Sequence, residues 1–548
     1  MKENKDGGKT PFNKQLTIRG MIIGAIGAAV LTMSSMYVAL KLGALPWPTI
    51  FVALASMYFL KLLKNTNLNE INVTHTAMSA GAMTSGGIAF TLPAIYMLNP
   101  DAEVSFGKLF AVVIGGVVLG LIFTALIRKY FVETKELPYP MGQAAAETVL
   151  AGDEGGKKSA TLFASMGAAG IFTVLRDVFT LFPAAIFNPT MMARGSLGGI
   201  WLSPMLISIG YIIGPLFIGM WFLGAIIGDF GILIGGVDLG LWSAETAALI
   251  KSSLGIGLMV GTGVGIILKG ILPKAKEIFG PMFKKENISD GMISLRWAPI
   301  VMVVLAFVFT VITKMGVIAS VITILGVWLT TAMSAQIVGQ SGINPMEVFG
   351  IIVLLAAKAV GNIGETEAIF VAAIVAIAAG LAGDVMNDFK AGAILKSDPK
   401  AQWYAECVGG IVGAFVSVFL FYTFLKAYGP SAFGNQEGFI APQAAMVAAM
   451  VGGIPHLNAF IIGLVLGIVL YFINFPVMTL GLGVYLPFYL SATAFIGGAL
   501  KFIIEKTKSE WDNGGQGLII ASGILGGEAV IGVIIALVQA FKGIAGGM

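Results

Sequence analysis

The stretch "LPYPMGQAAAETVLAG", residues 137–152, decides how the chain is read. It is apolar enough to enter a bilayer, yet too short between its breakers to cross one at about 20 residues per span. Pro138 and Pro140 precede it, Gly152 ends it, and an acidic residue, Glu147, sits in its middle. The two prolines prevent continuous helix with the preceding segment. Gln143 and Glu147 lie one turn apart on a single face, while Ala144, Ala145 and Ala146 allow close packing on neighbouring surfaces. In hydrocarbon, backbone polar groups are satisfied only within protein or beside a wet cavity, so a helix that stops halfway marks such a place. The residues favour a re-entrant half-helix presenting Gln143 and Glu147 to a cavity. The competing reading is a helix lying on the cytoplasmic surface with Glu147 in water.

The rest of the chain fits a bilayer. Of 548 residues 57% are hydrophobic and 11% charged, and the mean hydropathy is +0.91. Soluble domains carry roughly a quarter charged residues, so an all-α polytopic membrane protein is expected. The 73 glycines agree, because small residues let membrane helices approach closely. One cysteine, Cys407, excludes an intramolecular disulfide, and with two histidines leaves little for a transition-metal site. No cofactor is expected. The net charge of +4 suits basic cytoplasmic loops and gives no reason for a nucleic-acid partner.

Apolar segments of spanning length fall near 18–42, 46–63, 74–98, 106–127, 160–187, 199–218, 220–236 and 243–268. They resume near 297–313, 316–335, 345–360, 366–383, 404–425, 457–475, 477–500 and 516–541. That is about sixteen, with short re-entrant pieces besides. The boundaries expected are a cytoplasmic tail over 1–16, one transmembrane repeat over 17–268, a basic cytoplasmic linker over 269–297, and a second repeat over 298–548. Three parallels suggest the repeat: 67–81 with 340–350, 147–172 with 392–415, and 215–228 with 487–498. Such repeats commonly build secondary transporters, with substrate held where they meet. The run from Ile18 is long enough to be a first span rather than a cleaved leader, and the basic N-terminus, with Lys61, Lys64, Arg128 and Lys129, is expected on the cytoplasmic side of a multi-pass plasma-membrane protein.

Charged groups at membrane depth cost roughly 2.5–3.5 kcal/mol on insertion, so each is a candidate for function. Asp384 and Asp388 are one turn apart, with Lys390 just beyond. Carboxylates that close repel unless one is protonated or a cation intervenes. They form part of a coupling or amine-binding site, or else a solvated helix end. Glu365 and Glu367 interrupt an apolar tract at the break "GNIGETEAIF", which reads equally as a broken helix or a loop. Asn344-Pro345 with Glu347 is a similar break, and Pro345 is read there as a helix start. Asn72, His75 and Ser79 share a face after Glu70, so His75 can line a pathway and titrate near neutral pH. Arg176 and Asp177 are adjacent, do not face each other on a helix, and are expected to pair with other helices. Glu528 is isolated in the last segment, structural or part of the pathway.

The chain also resembles the oligopeptide transporter (OPT) family, in particular its prokaryotic branch. "LPYPMGQAAAETVLAG" is similar to the family's "YP-x-G-x-A-x-A-E-x-L" signature. Three further blocks follow the family in order: "NEINVTHTAMSAGAMTSGGIAFTLPA" (69–94), "GDVMNDFKAGAILKSDPKAQ" (383–402) and "PVMTLGLGVYLPFYLSATAFIGG" (476–498). Met141, Thr74-His75 and Asn387 depart from the pattern in parts expected to touch substrate.

The expected function is secondary active transport of small peptides or amino-acid-derived compounds, coupled to protons by alternating access. The residues expected to bind or couple are Glu147, Gln143, His75, Glu70, Asn72, Glu365, Glu367, Asp384, Asp388, Lys390 and Arg176. The partners are peptide, protons and lipid. The resemblance alone implies a metal–chelate (siderophore-like) substrate as the alternative, and a homodimer. No nucleotide-binding loop is present: "GIGLMVGTGVG" (255–265) lacks the Lys-Ser/Thr ending. A channel would conduct without accumulating solute. An intramembrane serine protease built on "GQSG" (339–342) would need His456 within reach of Ser341, so no enzyme is expected.

Overall fold

The segment "ETEAIFVAAIVAIAAGLAGDVMNDFKAGAIL" forms one helix, Glu365–Leu395, whose most apolar window is buried throughout. It follows Gly364, contains no proline and stops at Lys396, which adopts the left-handed conformation. Its alanines and glycines let other helices approach from every side. Leu68–Ala89, Phe106–Arg128, Val317–Ser341, Met346–Val360 and Pro140–Glu154 all pack on it. The computed structural model describes residues 10–42, 45, 49–154, 156–277, 297–342, 344–434, 439–507 and 515–546. Most of the linker expected at 269–297, and the first nine residues of the tail, lie outside the described residues.

The architecture is all-α, apart from a small antiparallel hairpin of Ala185–Phe187 against Gly199–Trp201. Among the described residues, nine helices are long and apolar enough to span, or ten if Pro442–Gly452 and Leu457–Phe472, bent by 111°, count as one. The remaining apolar segments are shorter. Thr49–Leu62 and Ala298–Val311 have 14 residues each, and 199–218 is cut at Gly214-Pro215, where Gly214 has a φ of 94°. Val303, Phe307, Ile411, Phe415, Ile461 and Val465 are exposed. Exposed apolar residues on this scale form a hydrocarbon-facing surface.

Helix lengths recur in order along the two halves. Ile18–Leu42 and Val317–Ser341 have 25 residues each, and the spans Leu68–Leu98 and Glu365–Leu395 have 31 each. The spans Phe106–Thr134 and Pro399–Tyr428 have 29 and 30. Short helices Pro140–Glu154 and Pro442–Gly452 follow them. The contacts recur with the halves exchanged: Gly156–Asp177 packs on Gln516–Gly546 as Leu457–Phe472 packs on Ala244–Gly265. Likewise Pro204–Ile213 meets Phe488–Thr507 as Val477–Tyr485 meets Pro215–Ala225. The helices of 156–277 and 457–546 thus form a second bundle beside the one around Glu365–Leu395.

The relation between the halves is inverted. His75 approaches Asp388, Ser79 bonds Asp384, and Gly87 lies against Ile377, so Leu68–Ala89 and Glu365–Leu395 run antiparallel. Matching Leu68 to Glu365 and Leu98 to Leu395 makes Met83 equivalent to Gly380. These two also meet: a Cβ on Gly380 would stand 3.9 Å from the Met83 carbonyl. A pseudo-twofold axis passes between them. The parallel between 215–228 and 487–498 falls on equivalent helices. The one between 67–81 and 340–350 does not, because 340–350 joins the end of Val317–Ser341 to the start of Met346–Val360. Apolar, glycine-rich tracts match at many offsets, and only packing separates them.

Candidate functional site

Two features converge beside the central helix. The first is the half-helix Pro140–Glu154. The helix before it ends near Thr134, and residues 135–139 return toward the molecular interior. There the Tyr139 N–H donates to Gly339 O at 2.9 Å and its hydroxyl to Ala335 O at 2.9 Å. The Gly142 N–H donates to Asn387 Oδ1 at 3.1 Å, and a Cβ on Gly142 would stand 2.2 Å from Asn387 O. From that depth the half-helix runs back to the end of the central helix, where Lys61 Nζ bonds Gly152 O at 2.9 Å and Asp153 at 3.1 Å. It is re-entrant. Ala144, Ala145 and Ala146 are buried, while Gln143 and Glu147 are exposed on the opposite face.

The second feature is a set of buried ionisable groups. Asp384 and Asp388 on the central helix, His75 on Leu68–Ala89 and Glu406 on Pro399–Tyr428 are all fully buried. Ser79 Oγ donates to Asp384 Oδ2 at 2.6 Å, and His75 Nε2 lies 3.4 Å from Asp388 Oδ1. The Glu406 carboxyl faces Asp388 within hydrogen-bonding reach. Asp384 Oδ1, both oxygens of Asp388 and of Glu406, and both imidazole nitrogens have no hydrogen-bond donor or acceptor in place. Leaving a buried polar group unsatisfied costs of the order of 1–3 kcal/mol, more if charged. Two facing carboxyls form a hydrogen bond only when one carries a proton. Close packing holds the group together: a Cβ on Gly409, one turn from Glu406, would stand 1.9 Å from Ala77 O. On a neighbouring helix, Arg128 stacks over the Phe389 ring at 5.1 Å and pairs with Glu133 at 2.6 Å.

The cluster is one-sided. Across the pseudo-twofold axis, the positions equivalent to His75, Ser79, Asp384 and Asp388 are Ala372, Ala376, Gly87 and Thr91, and Phe106–Arg128 carries no acid.

The other sequence candidates lie elsewhere. Glu70 is buried and satisfied by Arg19 at 2.7 Å, Thr17 at 2.7 Å and Thr66 at 2.8 Å, which ties the N-terminus to the core. Asn72 donates to Ser397 Oγ at 3.1 Å. Lys390 is half-buried beyond Asp388. Glu365 and Glu367 open the central helix at its far end, where acids favour the helix dipole. Glu367 lines a cavity of about 310 Å³ with Asn99, Asp101, Glu103, Lys108 and Thr366. Arg176 corrects an expectation: it bonds both oxygens of adjacent Asp177, at 2.6 and 2.7 Å, as well as Glu528 at 2.9 Å. Asp177 is the last residue of its helix, so its side chain can swing back as a mid-helix neighbour cannot. Glu528 also accepts from Ser203 at 3.0 Å and the Met205 N–H at 2.6 Å, forming a cross-link between helices. His456 caps Leu457–Phe472, its Nδ1 accepting from the Ala459 N–H at 3.2 Å.

Sequence reasoning missed Glu406 and the buried pair of Lys251 with Asp229, 2.6 Å apart. Glu406 lies within ten residues of Lys396, Asp398 and Lys400, which make it look solvated. Its signal was the small, apolar run "AECVGG" around it.

The chain is 25% identical, over 597 aligned residues, to a protein of Haemophilus influenzae named "Putative oligopeptide transporter", with 93% of this chain and 94% of that one covered. The family described as "OPT oligopeptide transporter protein" matches residues 15–271 and 275–539. With nearly the whole chain matched, this protein belongs to the OPT family of transporters.

Proposed function

We propose that this protein is a secondary active transporter of small peptides or related amino-acid-derived compounds, coupled to protons. The observation that carries the coupling is the buried group of His75, Asp384, Asp388 and Glu406, most of whose polar atoms have no hydrogen-bond partner and so have room for protons. Family membership and the name of the Haemophilus relative support the peptide substrate. Alternating access draws support from the two bundles, which meet at the half-helices. Tyr211 packs with Met141 at one, and Tyr485 donates to Pro442 O at 3.0 Å at the other. Rocking one bundle against the other would open each half-helix in turn. Gln143 and Glu147 then line the route on the side of the N-terminus, which we place in the cytoplasm.

The test is uptake of labelled di- to hexapeptides by proteoliposomes, with and without an imposed pH gradient, and with a metal–chelate arm. Gradient-dependent accumulation of a peptide is expected. Accumulation of the chelate alone would replace the substrate, and accumulation of neither would remove the coupled-transport reading.

A further inference from the structure

Glu347 opens Met346–Val360, the helix that follows the break at Asn344-Pro345. That break is held halfway along the central helix. Asn344 Nδ2 donates to Ala379 O at 3.0 Å and to Gly380 O at 3.2 Å, and Ser334 Oγ donates to Asn344 Oδ1 at 3.1 Å. Gly380 lies on the pseudo-twofold axis, so Glu347 sits at mid-depth, far from either end of the bundle. Its residue is 5% exposed and its Oε2 has no hydrogen-bond partner.

The surroundings set that oxygen between the two bundles. Met346–Val360 packs against Pro442–Gly452 and against Ala244–Gly265 of the second bundle. Tyr485, also of the second bundle, reaches the half-helix that packs on Met346–Val360. A tyrosine has one O–H to give, and this one is committed to Pro442 O. The half-helix start, the second bundle and a buried, unpartnered acceptor oxygen therefore meet at one place. The fold does not demand an acid here, since the corresponding stretch of the first half, "LPWPTIF" (45–51), has none.

We propose that Glu347 is the binding residue for the ammonium group of the transported peptide. The assignment rests on the peptide-transport reading. An ammonium group brings three N–H donors and a positive charge, which supply what Oε2 lacks. The Asp384, Asp388 and Glu406 group suits a different ligand: it lies inside one bundle, its carboxyls face one another, and protons fit where an ammonium group would have to part helices in backbone contact. Glu347 lies between bundles, where a substrate passes.

The experiment measures binding to the full-length protein in lipid nanodiscs, using alanine di- to hexapeptides with free or N-acetylated amino termini. The wild type is expected to prefer the free amine at least tenfold. Glu347→Gln is expected to bind both forms equally, with the affinity for the acetylated form unchanged, which shows the variant folded. A Glu347→Gln protein that keeps the preference overturns the assignment, as does a wild type that binds peptides without one. If Glu347→Gln binds neither form, Glu347→Asp decides: recovery of the free-amine preference supports the assignment, and loss of both forms overturns it. A wild type that binds no peptide in either form overturns the transport reading itself, and the assignment with it.

Discussion

Tyr139 and Ala441 occupy equivalent places in the two halves of the chain. Each has a positive φ, 47° and 40°, and each precedes the proline that starts a half-helix. Each donates its N–H at 2.9 Å to the corresponding helix of the other half, Tyr139 to Gly339 O and Ala441 to Leu40 O. Non-glycine residues with φ in this range cost of the order of 1 kcal/mol or more, and persist only where the surroundings hold them. Two equivalent outliers mark two equivalent entries into the protein interior.

Ala441 offers a direct test of that strain. Ala441→Gly should leave the detergent-solubilised melting temperature nearly unchanged, because relief of strain offsets the greater freedom of glycine when unfolded. Ala441→Val should lower it clearly, since a β-branched residue fits this region worst. Equal melting of the two variants would show that the backbone there is not held.

The buried acids predict a separation of coupling from exchange. Asp388→Asn and Glu406→Gln should each reduce gradient-driven peptide accumulation at least tenfold while leaving peptide counterflow, which needs no net proton movement, within about threefold of wild type. Gradient-driven accumulation at the wild-type level in either variant would remove that residue from proton coupling.

Glu147 is exposed on the half-helix, so the near-isosteric Glu147→Gln should fold with a melting temperature close to that of the wild type. Coupled uptake should be lost. Wild-type uptake would take the residue out of the route.

The cross-link at Glu528 predicts a stability effect instead. Arg176 is buried against Glu528 and Asp177, and removing one partner of a buried pair costs ~3–5 kcal/mol. Arg176→Met alone should lower the melting temperature strongly, and adding Glu528→Leu should recover part of the loss. A single variant as stable as wild type would show the pair to be dispensable.

Gly409 carries the closest approach in the acid cluster. A side chain there meets Ala77 O, so Gly409→Val should destabilise the protein by ~1–3 kcal/mol or more. Because Glu406 is one turn away, coupled uptake in any folded fraction should fall as well. Unchanged melting and uptake would place the helices further apart than described.

Some of this was legible in the sequence for physical reasons. A pair of prolines ahead of three alanines leaves a helix few choices, and a helical period of 3.6 puts Gln143 and Glu147 on one face wherever the helix lies. The register between the halves was not legible, because alanine and glycine tracts resemble one another at any offset and the inversion appears only in contacts such as Met83 with Gly380. Nor was the span count. Windows measure hydropathy, whereas breaks such as Gly214-Pro215 and Asn344-Pro345 set where a helix stops. Glu406 was hidden by charged neighbours along the chain, and it is burial on the far side of its helix that sets it apart. Arg176 was misjudged because the rule for adjacent residues assumes a helix that continues.

The lopsided distribution of acids about the Met83–Gly380 axis has a mechanical corollary. In a machine made of two upside-down copies, trading shapes between them would leave the energy unchanged, and neither face of the membrane would be preferred. Ala372, Ala376, Gly87 and Thr91 cannot take up what His75, Ser79, Asp384 and Asp388 hold, so that trade is unequal. Under the proposed alternating access, the two resting poses would differ in energy by an amount that depends on whether the acids are loaded, and acidity on one side would set which way the molecule faces while it waits.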